Sequence, residues 1–102
     1  MTGQAMFVVI FKAEIAQLDA EYHQFALQLR EKALSEYGCI KFESYTENQQ
    51  EIALSYWNSL ENIQRWKQDS LHQLAQQKGH ERWYKRYSVE VCVVQRQYTK
   101  EQ

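Results

Sequence analysis

The sequence predicts an α+β fold in which one four-stranded antiparallel sheet carries its helices on a single face. Segments with the apolar patterns of strands and segments with helical spacing follow one another in the order β-α-β-β-α-β. This order is the split βαβ arrangement. The 102 residues suffice for one domain with one core, and no repeat, linker or low-complexity segment divides them. We therefore predict a single domain over residues 1–102, with residues 1–4 disordered.

The first strand and the first helix are predicted from their apolar patterns. Residues 6–14 begin with apolar side chains on both alternating faces, which is typical of an interior strand. Residues 19–37 have a single apolar stripe at helical spacing. Asp19 is the expected N-cap of this helix, and Gly38 is its expected C-terminal stop.

A hairpin and a short helix are predicted next. Residues 39–47 alternate between apolar and polar side chains, as a half-exposed strand does. A polar turn at residues 48–50 leads into a returning strand over residues 51–57. Ser59 can then cap a helix whose apolar residues include Trp66.

The last third of the chain predicts another helix and a long final strand. Asp69 and Ser70 can cap a helix over residues 71–84. Gly79 inside that helix costs about 1 kcal/mol relative to alanine, so close approach of the helix to the sheet or to a pocket should offset it. Residues 86–98 alternate as a strand.

Composition and charge argue against several classes of function. The formal net charge is −1 and basic runs are short, so nothing favours nucleic acid or an anionic membrane. The longest apolar run, from Ala5 to Phe11, is too short to span a bilayer, and no signal peptide is evident. Cys39 and Cys92 are too few for a disulfide framework, so we predict buried thiols and a cytoplasmic location.

The sheet face opposite the helices predicts a partner. That face would carry valine, isoleucine and phenylalanine side chains, which is more apolar surface than a soluble protein leaves in water. The simplest cover is a second copy, so we predict a two-fold homodimer that buries sheet against sheet. The final strand is longer than its own sheet needs, and its end is expected to reach across to the partner.

Aromatic and polar motifs along the chain identify a family that it resembles. The motifs are Gly38, Ser55-Tyr56-Trp57-x-Ser59-Leu60-Glu61, Ile63-x-x-Trp66-Lys67, His72, Ala75-Gln76, Gly79, Glu81-Arg82-Trp83-Tyr84-x-x-Tyr87 and Val94-x-Arg96-x-Tyr98. With these motifs the chain resembles the antibiotic biosynthesis monooxygenase (ABM) domains over nearly its whole length. The resemblance implies a ferredoxin-like protomer, a dimeric α+β barrel, and a pocket between the helices and the sheet.

The resemblance also implies a function. Characterised ABM proteins oxidise aromatic polyketides with dioxygen and without metal or flavin, and others oxidise quinol-type compounds or degrade heme. The chain is accordingly expected to be a cofactor-independent monooxygenase that acts on a small aromatic or quinone-like molecule. The alternative is a non-catalytic dimeric protein that binds a small ligand or serves in a stress response, because one fold hosts many functions.

Heme binding or degradation is the least favoured alternative. Heme-degrading relatives use an asparagine in strand one, a tryptophan after strand three, and a histidine about ten residues further on. Trp66 matches the tryptophan, but strand one has no asparagine and position 76 is glutamine. His72 lies four residues too early to serve as the iron ligand of these relatives.

Three residues are candidates for catalysis. His72 can titrate near neutrality and could take a phenolic proton, although a hydrogen bond to the backbone or to Asp69 would equally explain it. Trp66 could stack on a flat substrate or simply fill the core. Arg82 could neutralise a developing enolate or superoxide-like charge, or pair with a neighbouring glutamate on the surface.

Four aromatic residues are candidates for substrate contacts. Trp83, Tyr84 and Tyr87 form a dense set, in which the hydroxyl groups of Tyr84 and Tyr87 could bind a substrate carbonyl or fix the junction between helix and strand. Trp57 ends a strand, where core or dimer packing is the alternative to substrate contact. Metal-ligand spacings, phosphate-binding loops and nucleophile motifs are all missing, so we predict no metal and no cofactor.

Overall fold

The structure, a computed structural model, describes residues 5–102, so the disorder predicted for residues 1–4 lies outside the described part. Its elements are β1 Phe7–Ile15, α1 Ala20–Glu36, β2 Lys41–Glu47, β3 Gln50–Trp57, α2 Leu60–Lys67, α3 Ser70–Lys78, a π-helical turn Gly79–Trp83, and β4 Tyr84–Val93. The strands form one sheet in the order β2-β3-β1-β4, and all three pairings are antiparallel. The predicted ferredoxin-like α+β fold is confirmed.

The predicted helix caps are confirmed because each depends on residues close in sequence. The Asp19 carboxylate accepts a hydrogen bond from the backbone N–H of Tyr22 at 2.8 Å. Ser59 caps α2 and Asp69 caps α3 in the same way. Gly38 follows α1 with φ +80, a conformation that favours glycine.

The hydrophobic core lies where β1 begins and β3 ends. Phe7 pairs with Trp57, and Val9 pairs with Ser55, on the face of the sheet that α1 and α2 cover. Trp57 is completely buried, and Ile63 and the other buried side chains pack around it. Aromatic side chains of this size dominate the stability of a small core.

The helix predicted over residues 71–84 is shorter than predicted. α3 ends at Lys78, and the backbone then widens into a π-helical turn. The carbonyl oxygen of Trp83 accepts hydrogen bonds from the N–H groups of Ala16 at 2.7 Å and Gln17 at 3.3 Å. This attachment to the end of β1 draws the chain out of the helix and starts β4 at Tyr84.

The final strand is also shorter than the predicted residues 86–98. The last pair of the ladder joins Phe7 and Val93, and one further hydrogen bond runs from the N–H of Val94 to the carbonyl of Met6 at 2.8 Å. β1 begins at Phe7, so residues 95–98 have no β1 residue to pair with. Tyr98 is accordingly 89% exposed.

The helix-free face of the sheet carries half-buried apolar side chains. Because side chains alternate along a strand, this face receives Val8 and Ile10 from β1 and Leu54 and Tyr56 from β3. The strand phenylalanines were expected on this face, but Phe7, Phe11 and Phe42 lie on the helical side.

The two cysteines differ in burial, which corrects the prediction that both thiols are buried. Cys39 is buried, and its thiol donates to the carbonyl of Lys41 at 3.3 Å. Cys92 is only half-buried, because it lies on the helix-free face opposite Val8. Within residues 5–102, the helices are too short or too polar to cross a bilayer.

Candidate functional site

A cavity of about 480 Å³ lies between the helices and the inner face of the sheet. Its walls come from all four strands and all three helices, and they include Phe11, Tyr22, Glu51, Trp66, His72 and Tyr84. Pockets for small molecules are typically about 300–1,000 Å³. The cavity expected between helices and sheet is therefore present, and it has the size of a small-molecule site.

One end of the cavity, here called the tryptophan end, is lined by Phe42, Trp66 and His72, and Trp57 packs behind them. The Trp66 ring lies with its centroid 5.4 Å from that of Trp57, 6.0 Å from Phe42 and 4.4 Å from His72. Its Nε1 donates a hydrogen bond to the carbonyl of Leu29 at 3.2 Å. These contacts fix the Trp66 ring in the wall of the cavity.

Trp57 lies behind Trp66 and does not line the cavity. It has no exposed surface, and its Nε1 donates to the hydroxyl of Ser55 at 2.8 Å. Of the two roles predicted for Trp57, the structure favours core packing over substrate contact.

His72 lines the cavity beside Trp66 and contains a buried nitrogen without a partner. Within residues 5–102, its Nδ1 makes no hydrogen bond, although buried polar atoms nearly always have one. The predicted bond to Asp69 is not formed, because that carboxylate accepts from the Tyr37 hydroxyl at 2.7 Å and from Lys32 at 3.1 Å. Burial lowers the pKa of His72, so its imidazole is neutral at neutral pH and can accept a proton.

The opposite end, here called the tyrosine end, consists of Glu51, Tyr22 and Tyr84. Glu51 is only 6% exposed, and its Oε1 accepts hydrogen bonds from the hydroxyl groups of Tyr22 at 2.7 Å and Tyr84 at 3.4 Å. Burial raises the pKa of the Glu51 carboxyl, and the two tyrosines offset that rise in part. Burial also raises the pKa of both tyrosines, which therefore remain neutral donors.

A bulge in β4 turns two tyrosines toward the same side. The pairing of β1 with β4 skips Lys85. Tyr84 and Tyr87 lie three positions apart, on either side of this bulge, and therefore point to the same face of the sheet. Tyr84 and Tyr87 consequently both line the cavity, with ring centroids 5.3 Å and 5.8 Å from that of Phe11. Both predicted substrate contacts are thereby brought to the cavity wall.

The π-helical turn shapes the wall at the tyrosine end. Gly79 is buried, and a Cβ there would lie 3.0 Å from two ring carbons of Tyr84. This confirms the close approach that Gly79 predicted. Trp83 is 2% exposed, and its Nε1 donates to Asp19 at 3.2 Å while its ring meets that of Tyr22 edge-on. Turns of this kind occur frequently at functional sites.

Arg82 does not lie in the cavity, which corrects its expected place beside the substrate. Because the neighbouring Trp83 points inward, the Arg82 side chain points outward, where it pairs with Glu21 and with Asp19 at 3.9 Å. Arg30 is instead a cation that lines the cavity, with its Cζ 5.8 Å from the centroid of Phe42. No sequence pattern distinguishes Arg30 from the other polar residues of α1.

Glu51 was also missed, although a signal was available. A glutamate next to a hairpin turn is ordinarily exposed. Strand alternation, however, puts position 51 in phase with Ser55 and Trp57, and therefore on the inner face. Tyr22 lies on the apolar stripe of α1, and no local pattern indicates that its hydroxyl group donates to Glu51.

Comparison with known proteins supports the fold and identifies a family. No family model matches the chain. Among solved structures, a variant of SnoaB, a cofactor-independent oxygenase from Streptomyces nogalater, has a TM-score of 0.77 at 7% identity, covering 93% of this chain and 98% of that chain. A Caulobacter crescentus protein assigned to the antibiotic biosynthesis monooxygenases has a TM-score of 0.71 at 17% identity, covering 86% and 88%.

These likenesses show that the chain has the α+β fold of the ABM-like proteins. YqjZ of Bacillus subtilis, an uncharacterized protein, is 34% identical over 92 residues, which are 89% of this chain and 81% of YqjZ. The chain belongs to the family of YqjZ.

Proposed function

We propose that the protein binds a flat aromatic or quinone-like molecule in the cavity and oxygenates it with dioxygen, without a cofactor. The observation that carries the proposal is the pairing of Trp66, fixed in the wall, with the unpartnered Nδ1 of His72 beside it. A flat ring can stack against the cavity wall while its hydroxyl group bonds the imidazole. The likeness to a cofactor-independent oxygenase supports the same reading.

The chemistry requires a base and an electron-rich substrate. Neutral His72 removes the proton of a phenolic or enolic hydroxyl group, and the resulting anion donates electrons to dioxygen. With an anthrone, one oxygen atom of dioxygen becomes the new carbonyl oxygen. The other atom leaves as water together with the two hydrogen atoms of the oxidised methylene group. Apolar side chains such as Phe11 and Trp66 form much of the wall, and less polar surroundings strengthen the electrostatic interactions of the anion.

Oxygen uptake by the purified protein tests the proposal. A panel of anthrones and hydroquinones should include a substrate that consumes dioxygen and yields the quinone. His72→Ala should lower kcat about 100-fold, the usual contribution of a general base, and Trp66→Phe should mainly raise KM. His80→Ala is the matched control, because His80 is exposed on the π-helical turn and outside the cavity.

Ligand binding without catalysis is the second candidate. The position of Arg82 favours it, because one of the three groups predicted for catalysis pairs with surface carboxylates instead. Under this alternative, panel compounds raise the melting temperature and no oxygen is consumed. An absence of both turnover and stabilisation with every compound would refute both candidates.

We further propose that the protein is a homodimer that covers its helix-free face. Val8, Ile10, Leu54 and Tyr56 form a row of apolar side chains there, which no helix of the protomer covers. Within residues 5–102, residues 95–98 pair with no strand of their own protomer, and we propose that they reach the second copy. Sedimentation should give twice the mass of the chain, and Leu54→Lys should shift the equilibrium toward monomer.

A further inference from the structure

Glu51 is a buried carboxyl group without a cation beside it. Within residues 5–102, the ion pairs all involve other carboxylates. Keeping a carboxylate out of water without a countercharge costs stability. Such groups concentrate at functional sites, where their chemistry compensates for that cost.

The geometry leaves one oxygen atom of this carboxylate for a ligand. The hydrogen bonds from Tyr22 and Tyr84 both end on Oε1. Among the hydrogen bonds of residues 5–102, Oε2 accepts none, and Glu51 lines the cavity. We propose that Glu51 accepts a proton from a ring hydroxyl group of an aromatic ligand through Oε2, while the two tyrosines hold the carboxylate in position. This inference rests on the proposed function, since it needs an aromatic ligand in the cavity.

The proposed step moves one proton and no electrons. The ligand O–H bond breaks, its electron pair stays on the ligand oxygen, and a new O–H bond forms on Glu51. The ligand becomes a phenolate, the form that donates electrons to dioxygen most readily. Because burial raises the pKa of the Glu51 carboxyl, its carboxylate is a stronger base than an exposed one.

Few groups next to Glu51 can gain or lose a proton near neutral pH. Tyr22 faces it from α1 and Tyr84 from β4, and burial raises the pKa of both. Its neighbours in the ladder, Ala13 on β1 and Thr46 on β2, carry no charge. Near neutral pH, the protons that move at this end are therefore those of Glu51 and the ligand.

The cavity also suggests the shape of the ligand. Glu51 and Ser55 both line it and lie four residues apart on β3, about 13 Å along the strand. That length accommodates two or three fused rings between the tyrosine end and the tryptophan end. Phe11 and Tyr87 form part of the wall beside Glu51. The ligand class is therefore a fused-ring aromatic compound with one hydroxyl group at the end that faces Glu51 and a second hydroxyl or enolic group toward His72.

The experiment uses 2-hydroxyanthraquinone, whose visible absorption moves to longer wavelength when its hydroxyl group ionises. The compound is titrated into the wild-type protein and into Glu51→Gln between pH 5 and pH 9. Near pH 7, the compound bound to the wild type should take on the ionised colour without releasing a proton to weakly buffered solution, because Glu51 takes that proton up, whereas each molecule that ionises in Glu51→Gln should release one proton. Glu47→Gln is the matched control, because Glu47 is exposed at the neighbouring hairpin, outside the cavity.

A second measurement uses the wild-type protein, so it tests the proposal even if Glu51→Gln does not fold. The carboxyl carbon resonance of Glu51, assigned through bonds to its own backbone, should move to the protonated position when the compound binds. Binding without ionisation and without this movement would overturn the role of Glu51 and leave the aromatic site intact. No binding to the wild type would overturn the proposed function and this inference together.

Discussion

The two ends of the cavity are stabilised by different kinds of interaction. At the tryptophan end, Trp57 and Trp66 pack ring against ring, and both indole nitrogens donate to oxygen atoms. At the tyrosine end, Glu51 is buried with two tyrosine hydroxyl groups, and no cation of the described residues 5–102 pairs with it. The first end gains stability from the burial of apolar surface, whereas the second keeps a group whose burial is unfavourable.

This difference suggests a division of labour along β3. The tryptophan end anchors the fold and offers a flat wall beside the Nδ1 of His72, which makes no hydrogen bond within the described part of the chain. At the tyrosine end, burial raises the pKa of the Glu51 carboxyl group, so this group binds a proton more readily. Substitutions at the two ends should therefore affect stability in different amounts and respond to pH in opposite directions.

Removing the ring of Trp57 tests the tryptophan end as the anchor. Trp57→Ala should lower the free energy of unfolding by about 3–5 kcal/mol, because it removes a completely buried indole and leaves a cavity. Urea denaturation measures the change. Tyr98→Ala is the control and should alter stability by less than about 0.5 kcal/mol, since Tyr98 is 89% exposed. A loss below about 1 kcal/mol for Trp57→Ala would mean that this end is not the anchor.

A methyl group at Gly79 tests how tightly the tyrosine end is packed. On helix propensity alone, alanine would stabilise the chain by about 1 kcal/mol. The added Cβ, however, would lie 3.0 Å from two ring carbons of Tyr84 and displace that ring. Gly79→Ala should therefore lower stability by about 1–2 kcal/mol.

The control for this test is Gln77→Ala, on the exposed surface of α3, where little change is expected. A more stable Gly79→Ala protein would show that Tyr84 is free to move. It would then also be free to release Glu51.

The carboxylate of Asp69 tests the pH response near the tryptophan end. Hydrogen bonds from the Tyr37 hydroxyl group and from Lys32 lower the pKa of Asp69 to about 2. Its folded-state pKa lies below the ordinary value, so it stabilises the protein above about pH 4, and this contribution is lost as the pH falls toward 2. Asp69→Asn should cost about 1–2 kcal/mol at pH 7 and much less at pH 2. An equal cost at both pH values would contradict this assignment.

The fold was predictable because its signals are local. The Asp19 cap and its partner Tyr22 are three residues apart, and the Gly38 stop adjoins the helix that it ends. Strand alternation placed Trp57 on the same face of β3 as Ser55, but it left open whether that face packs in the core or against a second copy. The π-helical turn was not predictable, because it depends on the carbonyl of Trp83 meeting the backbone of Ala16, far away in sequence.

The candidate site was predictable only in part, because some of its contacts join residues that are far apart in the sequence. Trp66 and His72 lie on adjacent helices, six residues apart, and the sequence placed both near the pocket. Glu51 acquires its role from Tyr22, 29 positions earlier, and from Tyr84, 33 positions later. Those contacts depend on how the helices pack over the sheet, and on a bulge at Lys85 that no local pattern revealed.

The pH dependence of Glu51→Gln is the smallest expected effect, and it tests the difference between the two ends of the cavity most directly. Burial raises the pKa of Glu51 in the folded state. As the pH rises, the Glu51 carboxyl group therefore loses its proton at a lower pH in the unfolded chain than in the folded protein. Glu51 therefore favours the folded state below its ordinary pKa and loses that advantage as the pH rises through the folded-state value. Glu51→Gln, which cannot ionise, should lose less stability relative to the wild type at pH 7 than at pH 4.

Urea denaturation at the two pH values measures this difference, with Glu47→Gln as the exposed control. The trend is opposite to that of Asp69→Asn, whose cost grows with pH. If Glu51→Gln instead cost more at pH 7 than at pH 4, Glu51 would be a stabilised carboxylate. The two ends would then use their carboxyl groups alike, and the carboxylate of Glu51 would be a weak base.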